Sequence, residues 1–452
     1  MFLSLQRGFS PFIHSLLDDL NRLIGPVYLV GGALRHALQH RIPPDELNLL
    51  SPHALSQCRQ RLEEAGYNTV LGIRHNSLLL PLKRQENPKV VEIATFRHHP
   101  GQPPSVEEDL SHRDITSNAM AFRWPDGPFI DPFQGRSDLQ ENCIRLVNGA
   151  ATLTEDPLRA LRFFRFTLQM SGRPDPRDLN QCAATLIGPV AHERIRGELD
   201  RIFSLPLRDS GSRDLLQHLF DCPLGRSLVP EFTLLMETAG PDGASAWLRS
   251  LGTLLIMTSP APEEEVSFLD LRWTALLAEV GRIRTNHAEG EGKRDPTTGR
   301  VETLLQRLQF SKRRLRRITS LIQHLDLTLT PPERVLRRLL DSGTPVEGLF
   351  RLIRARQESE VRDPEEIRKT GETFIRAMRR CQLMRESLKR LRPCDLALTG
   401  GEIMDMARLP PGPWLGKLRE ALVDWVGEDL RRNQRDMLAN QVQQWLLNHA
   451  EF

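Results

Sequence analysis

A chain of 452 residues, 39% of them hydrophobic, is long enough for two or more domains with cores of their own. It contains no apolar run near the roughly 20 residues that cross a bilayer, and its opening residues are amphipathic, with Asp18 and Asp19 where a signal sequence is apolar, so a cytoplasmic location without a membrane partner is expected. The net charge of +3 hides an asymmetry: residues 301–392 hold 22 Lys and Arg against 12 Asp and Glu, whereas the remainder holds 39 against 46. A polyanion is therefore expected against the C-terminal half.

The six cysteines, Cys58, Cys143, Cys182, Cys222, Cys381 and Cys394, form no Cys-x-x-Cys pair, so neither a zinc site nor a disulfide framework is expected. Residues 1–25 read as a helix feeding a first strand. Val27 to Ser51 then runs as an apolar strand that breaks at Gly31-Gly32, enters a helix and returns as a second strand. Paired glycines remove the Cβ atoms that keep a triphosphate from the backbone, and the amides of the following helix point at the anion. Arg35, one turn in, is placed to bind a phosphate oxygen. On the second strand Glu46 and Asn48 share one face and Leu47 and Leu49 the other. Two oxygen-bearing side chains beside a glycine turn suit a Mg²⁺-dependent phosphoryl transferase, although a solvated strand face gives the same alternation.

A helix over roughly 53–65 and strands over 78–82 and 90–96 complete a small mixed α/β domain. Glu107 to Phe122, EEDLSHRDITSNAMAF, follows, and then FIDPFQGRSDLQENCIRLV over 129–147. Glu155-Asp156-Pro157-Leu158-Arg159 opens a helix for which Thr154 is the expected N-cap and Pro157 lies in the first turn. Asp156 and Arg159 are three apart, an acceptor and a forked donor expected on one helical face, where a surface ion pair is the plainer alternative. From His192-Glu193-Arg194-Ile195-Arg196-Gly197-Glu198-Leu199 onward the pattern is helical. Breaks are expected at 238–243, 259–262 and 288–299, the last a disordered loop, and basic amphipathic helices over 304–325 and 374–392.

Taken in order, these segments resemble the class II tRNA nucleotidyltransferases (CCA-adding enzymes) and bacterial poly(A) polymerases of the polymerase-β superfamily, strongly over 26–205 and more weakly over 300–435. The corner is similar to their GG-x-x-R segment and Asp-x-Asp strand, 107–122 to DL-x-RRDFT-x-NA, 154–166 to the ED-x-x-R helix, and 192–199 to E-R-I-x-x-E-L. Residues 398–426 resemble the tail segment, with Gly400, Gly412, Pro413 and Gly416 shaping turns; Asp131, Gly135 and Asp138 are expected to be structural. His112 stands where the family usually has Arg, the linker over 98–106 is shorter than usual, and the His-Asp doublet of a phosphohydrolase module is absent.

The resemblance implies an α+β protein: a nucleotidyltransferase head (1–150), a neck that recognises the nucleobase (151–210), a helical RNA-binding body (211–392) and a helical tail (393–452). It implies Glu46, Asn48 and Glu92 as catalytic metal ligands for Mg²⁺. Gly31, Gly32, Arg35, Arg113, Asp114 and Asn118 would form the triphosphate and sugar pocket, Asp156 and Arg159 the base reader, and Arg162 and Arg165 would also bind the nucleotide. Lys312, Arg313, Arg316 and Arg317 would contact RNA. The implied reaction is template-independent addition of C or A from CTP or ATP to the 3′ end of tRNA or another RNA. The family's Asp-x-Asp is Glu46-Leu47-Asn48 here, which admits a rival, an impaired member that binds RNA without extending it, because Mg²⁺ prefers carboxylate to amide oxygen. A nucleotide-binding regulator without RNA is a third reading, disfavoured by the basic helical half.

Overall fold

The computed structural model describes residues 9–39, 46–72, 77–82, 88–97, 104–188, 190–207, 209–237, 245–257, 268–280, 296–361, 363–390 and 395–448. The chain forms two compact units, residues 1–233 and 234–452. The first therefore extends past the expected end of the neck at 210.

In the first unit, α1 (Pro11–Ile24) starts where the Ser10 side chain accepts the Ile13 amide and Pro11 presets the first turn. It buries Ile13, Leu16, Leu17, Leu20 and Ile24, the three-and-four spacing of a helix with one apolar face. Next come β1 (Tyr28–Val30), α2 (Gly31–Leu38), β2 (Glu46–Ser51), α3 (Leu55–Glu64), β3 (Val70–Gly72), β4 (Ser77–Pro81) and β5 (Val90–Thr95). Helix α4 (Val106–Ser111), a short 3₁₀ turn (Thr116–Asn118), β6 (Ala121–Arg123), β7 (Phe129–Ile130), α5 (Gly135–Gln140) and β8 (Cys143–Ile144) follow. The seven-stranded sheet has the order β3-β4-β5-β2-β1-β6-β7. Its central pair, β2 with β5, is parallel and sets Asn48 opposite Glu92.

Alternation along these strands divides the sheet's faces. Leu47, Leu49, Leu78, Leu80, Val91 and Ile93 are buried on one face. Glu46, Asn48, Ser77 and Glu92 share the other. Leu50 ends that polar row and joins Val30, Val106, Leu110, Ala119, Ala121 and Val147 in a small core that anchors α4 and the 3₁₀ turn beside the site.

Helices α6 (Ala150–Glu155), α7 (Leu158–Met170), α8 (Pro176–Ala184), α9 (His192–Phe203), α10 (Ser210–Asp221) and α11 (Pro223–Leu228) complete this unit, with strand β9 (Arg173–Pro174) paired to β8. The unit boundary falls inside α12 (Glu231–Glu237). Thr154 is not the cap of α7: it lies within α6 and donates to the Ala150 carbonyl, and Asp156 instead accepts the Leu158 amide at 3.2 Å.

The described part of the second unit is helical: α13 (Ala246–Ile256), α14 (Phe268–Leu277), α15 (Pro296–Arg307), α16 (Lys312–Gln323), α17 (Glu333–Asp341), α18 (Val346–Glu360), α19 (Pro364–Arg390), α20 (Gly400–Ala407), α21 (Pro413–Glu428) and α22 (Arg435–Asn448). Among the described residues no helix is long and apolar enough to cross a membrane. The expected breaks at 238–243 and 259–262, most of the 98–106 linker and residues 288–295 lie outside the described residues. Residues 296–299 form the first turn of α15 rather than a loop. The expected helix over 304–325 is two helices, parted where Gln309 takes a left-handed φ of 57°. In the tail, Gly416 lies inside α21 and not in a turn, whereas Gly412 caps that helix ahead of Pro413. Leu398, Ile403, Trp414, Leu418, Leu422, Val426, Leu438 and Val442 form a core of their own there.

Candidate active site

The polar face of the sheet brings Glu46, Asn48 and Glu92 together. The Asn48 Nδ2 donates to Glu46 Oε1 at 3.1 Å and to Glu92 Oε2 at 3.3 Å. Burial of the carboxyl and the neighbouring Glu92 carboxylate push Glu46 up to about 7. Two carboxylates thus face each other across an amide, a pair that favours holding one proton or a cation between them. Among the described residues no three His, Cys, Asp or Glu side chains cluster as a metal site, because the third corner here is an amide. The donor set nevertheless fits a hard divalent cation: both carboxylates supply anionic oxygen, and turning the amide by half a revolution presents Asn48 Oδ1 in place of its NH₂.

Gly31 sits against this cluster. Its φ of +64° is left-handed, and a Cβ on it would lie 3.2 Å from Arg113 Nη1 and 3.7 Å from Asn48 Oδ1. The glycine therefore serves both a backbone turn and a close approach. Gly32 lies beside it at the start of α2, where a Cβ would stand 3.9 Å from Arg35 Nη2.

The residues from the other motifs form a scaffold around the corner. Arg113 donates from Nε and Nη2 to Asp109 Oδ2 at 3.2 and 2.9 Å, while Asp109 Oδ1 takes the Arg97 amide and Nε, both at 3.1 Å. Burial raises the Asp109 carboxyl, but Arg113 and Arg97 outweigh it and hold it below the usual range. Asp114 is buried too. Burial opposes its charge, but Arg162, the Asn118 amide and the Ile115 N–H outweigh that and keep it far down the carboxylate range. The contacts are 2.7 Å from Arg162 Nε, 3.1 Å from Asn118 Nδ2 and 2.9 Å from the Ile115 N–H.

Asn118 in turn accepts from Arg35. The guanidinium expected at a phosphate is buried and engaged with an amide of the neighbouring motif. Arg35, Arg162 and Arg165 also lie around one ring, Phe166, at 5.5, 5.8 and 4.0 Å from its centroid. Arg165 donates to Glu198 at 2.7 Å, and Arg201 pairs with the same carboxylate. Of the three arginines around Phe166, Arg162 is the most exposed, with 37% of its side chain open to solvent beside Asp114.

Asp156 and Arg159 do not share a helical face. Asp156 precedes α7 with extended backbone and accepts from Arg194 at 2.6 Å. Arg159 is buried and turned the other way, to Glu155 at 2.5 Å and to the Thr152 and His112 carbonyls at 3.2 and 2.7 Å. The His112 ring bonds Glu155 at 2.8 Å, so the histidine occupying the family's arginine position still ties α4 to α6. In the second unit Lys312, Arg313 and Arg316 are exposed on α16. Arg317 is not free for RNA in the same way: with Arg314 it is paired to the fully buried Asp270, at 2.8 and 2.6 Å.

Sequence reasoning missed Asp109, Phe166, Glu198, Arg201, Ser77 and the partners Arg194 and Asp270. Asp109 stands inside the quoted EEDL run, and Phe166 closes the quoted α7 motif; both were legible as motif members without a role. Asp270 carries no local signal at all.

The Poly A polymerase head domain family matches residues 27–145, the span of the sheet's central strands and the 107–122 scaffold. The chain is 28% identical over 345 residues to the A-adding tRNA nucleotidyltransferase of Deinococcus radiodurans, covering 71% of this chain and 75% of that one. It is 30% identical over 308 residues to the Multifunctional CCA protein of Alkalilimnicola ehrlichii, covering 63% and 70%. In fold, it is similar to the CCA-adding enzyme of Bacillus stearothermophilus crystallised in complex with CTP, with a TM-score of 0.66 at 18% identity over 98% of this chain and 100% of that one. A mixed sheet with a glycine corner and facing acidic strands, followed among the described residues by helices and one short strand, defines the polymerase-β class of nucleotidyltransferase. Within it, the chain belongs to the class II tRNA nucleotidyltransferase family, with the CCA-adding enzymes and poly(A) polymerases.

Proposed function

We propose that this protein is a template-independent RNA nucleotidyltransferase that adds C, A or both from CTP or ATP to the 3′ end of tRNA in the cytoplasm. The observation that carries the reading is the approach of Glu46, Asn48 and Glu92 to one another beside Gly31, with Arg113 at the glycine. Relatives it matches are named an A-adding tRNA nucleotidyltransferase and a Multifunctional CCA protein, and the basic second unit suits a tRNA body.

In this reading the triphosphate lies along the start of α2, where Gly31 and Gly32 let it reach the helix amides and Arg113 and Arg162 supply guanidinium donors. The RNA 3′ hydroxyl attacks the α-phosphate, its proton leaves, and pyrophosphate departs. Glu46, Asn48 and Glu92 would hold Mg²⁺, whose chemistry there is to neutralise charge on the triphosphate. Arg35 acts from behind: through Asn118 and Asp114 it fixes the direction of Arg162. The base is read next to α7, which requires that Asp156 leave Arg194 or that Arg159 leave Glu155, since both now have partners. The head (1–150) and neck (151–210) thus hold the nucleotide, and the body (211–392) and tail (393–452) hold RNA.

A second reading has an observation of its own. Asn48 bridges the two glutamates by donating, the opposite of a ligand's role, as in a member that binds RNA without extending it. Incubation of the protein with Mg²⁺, labelled CTP or ATP and tRNA lacking part of its 3′ end decides between them. Labelled tRNA supports transfer and reports which nucleotides are used; bound but unlabelled tRNA supports the second reading.

A further inference from the structure

We infer that Ser77 is a positioning residue for Glu92, and that Gly72 lacks a side chain to make room for it. The inference rests on the reading of Glu92 as a cation ligand. Ser77 opens β4, where Ser77 pairs with Ala94 and Leu79 with Glu92, so Ser77 and Glu92 are diagonal neighbours on the polar face. Its Oγ donates to Glu92 Oε1 at 2.6 Å, and the other oxygen, Oε2, is the one that meets Asn48.

A glutamate carboxyl turns broadly about its last torsion. A donor on one oxygen stops that rotation and leaves the second oxygen aimed at the Glu46 and Asn48 side. Ser77 is 1% exposed, so solvent does not compete for its hydroxyl. The strand next door is shaped to match. Gly72 pairs with Ser77 across β3 and β4, and a Cβ on Gly72 would lie 2.6 Å from Ser77 Oγ and 3.2 Å from the Ser77 carbonyl oxygen. Any larger residue there would force the hydroxyl off Glu92. Gly72 has no left-handed φ to explain it, so the close approach is its reason for being glycine.

Hydrogen-bond partners behind a metal ligand typically contribute about 10- to 100-fold in metal affinity. The test is Mn²⁺ binding to the full chain, followed by paramagnetic resonance of the free ion, alongside thermal unfolding and the KM and kcat for CTP at saturating tRNA. Ser77→Ala should weaken Mn²⁺ about tenfold or more and raise the cation requirement, and Ser77→Thr, which keeps the hydroxyl, should restore binding. Gly72→Ala, which keeps Ser77 but displaces its hydroxyl, should reproduce the loss and add little to Ser77→Ala; it also carries the test if Ser77→Ala fails to fold. Folded Ser77→Ala protein with wild-type Mn²⁺ affinity overturns the inference and leaves the proposed function standing. A wild-type chain that binds no Mn²⁺ overturns the cation site itself, and the inference with it.

Discussion

At Glu46, Asn48 and Glu92, two negative charges stand where the family pattern has three, and the amide between them donates to both. Converting Asn48 to Asp, best combined with Glu46→Asp, should raise nucleotide incorporation and lower the Mg²⁺ requirement. Each tenfold of rate corresponds to about 1.4 kcal/mol of transition-state stabilisation, and a bridging carboxylate is worth several such steps on the scale of other electrostatic groups. Folded, tRNA-binding double variant without incorporation would show that more than the carboxylates has been lost. The Glu46 carboxyl, with its ordinary value of 4.5 raised to about 7, also fixes a sign. Between about pH 4.5 and 7 the folded protein holds a proton that the unfolded chain has released, so the stability this group contributes falls as pH rises through that window. A cation held by Glu46 and Glu92 would replace the proton. Divalent-cation affinity, measured by calorimetry from pH 5.5 to 8, should therefore climb through neutrality with proton release, and the climb should vanish in Glu46→Gln. The meeting of Glu46 and Asn48 beside the glycine corner was legible in the glycine pair and the strand alternation; the direction of the Asn48 amide was not, because it depends on Glu92, 44 residues away.

At the scale of elements, α7 and α16 show why spacing is an incomplete guide. Asp156 and Arg159 are three apart, which on a continuous helix puts them side by side. Pro157 separates them: the helix begins at Leu158, leaving Asp156 on extended backbone facing Arg194 while Arg159 turns into the carbonyls of α6 and His112. Arg159→Ala should lower nucleotide affinity and base preference in a competition assay between CTP and ATP, and should also lower the melting temperature, since it leaves the two carbonyls short of a donor. Intact affinity and preference with lower melting would reduce the residue to a structural pair. On α16 the charge run was legible and its division was not. Lys312, Arg313 and Arg316 are exposed, whereas Arg314 and Arg317 are bound to Asp270, 44 and 47 residues upstream. Charge reversal at the first three should weaken tRNA binding and flatten its salt dependence. Asp270→Ala should instead cost about 3 to 5 kcal/mol of stability in denaturant titration, since it leaves two cations without their buried partner.

For the whole molecule, the division at Thr233 and Leu234 places the candidate chemistry within one unit and the excess positive charge in the other. A fragment ending after α12 at Glu237 should bind CTP or ATP by fluorescence titration and lose most affinity for tRNA. Retained tRNA affinity would move the RNA contact into the first unit. The α+β class and the order of the motifs were legible because each motif is local. The unit boundary was not, since it falls within a helix that has no glycine or proline break, and neither was the hub at Phe166, which joins arginines from two motifs 127 and 130 positions apart.

That hub has an evolutionary consequence. Arg35, Asn118, Asp114 and Arg162 are linked in sequence, with both arginines over Phe166, so this frame holds together beside a Glu46-Leu47-Asn48 strand that departs from Asp-x-Asp. Asparagine and glutamate codons each lie one base change from an aspartate codon. The family pattern is therefore two point mutations away, and a selection for faster tRNA end repair would draw its first variants from codons 46 and 48.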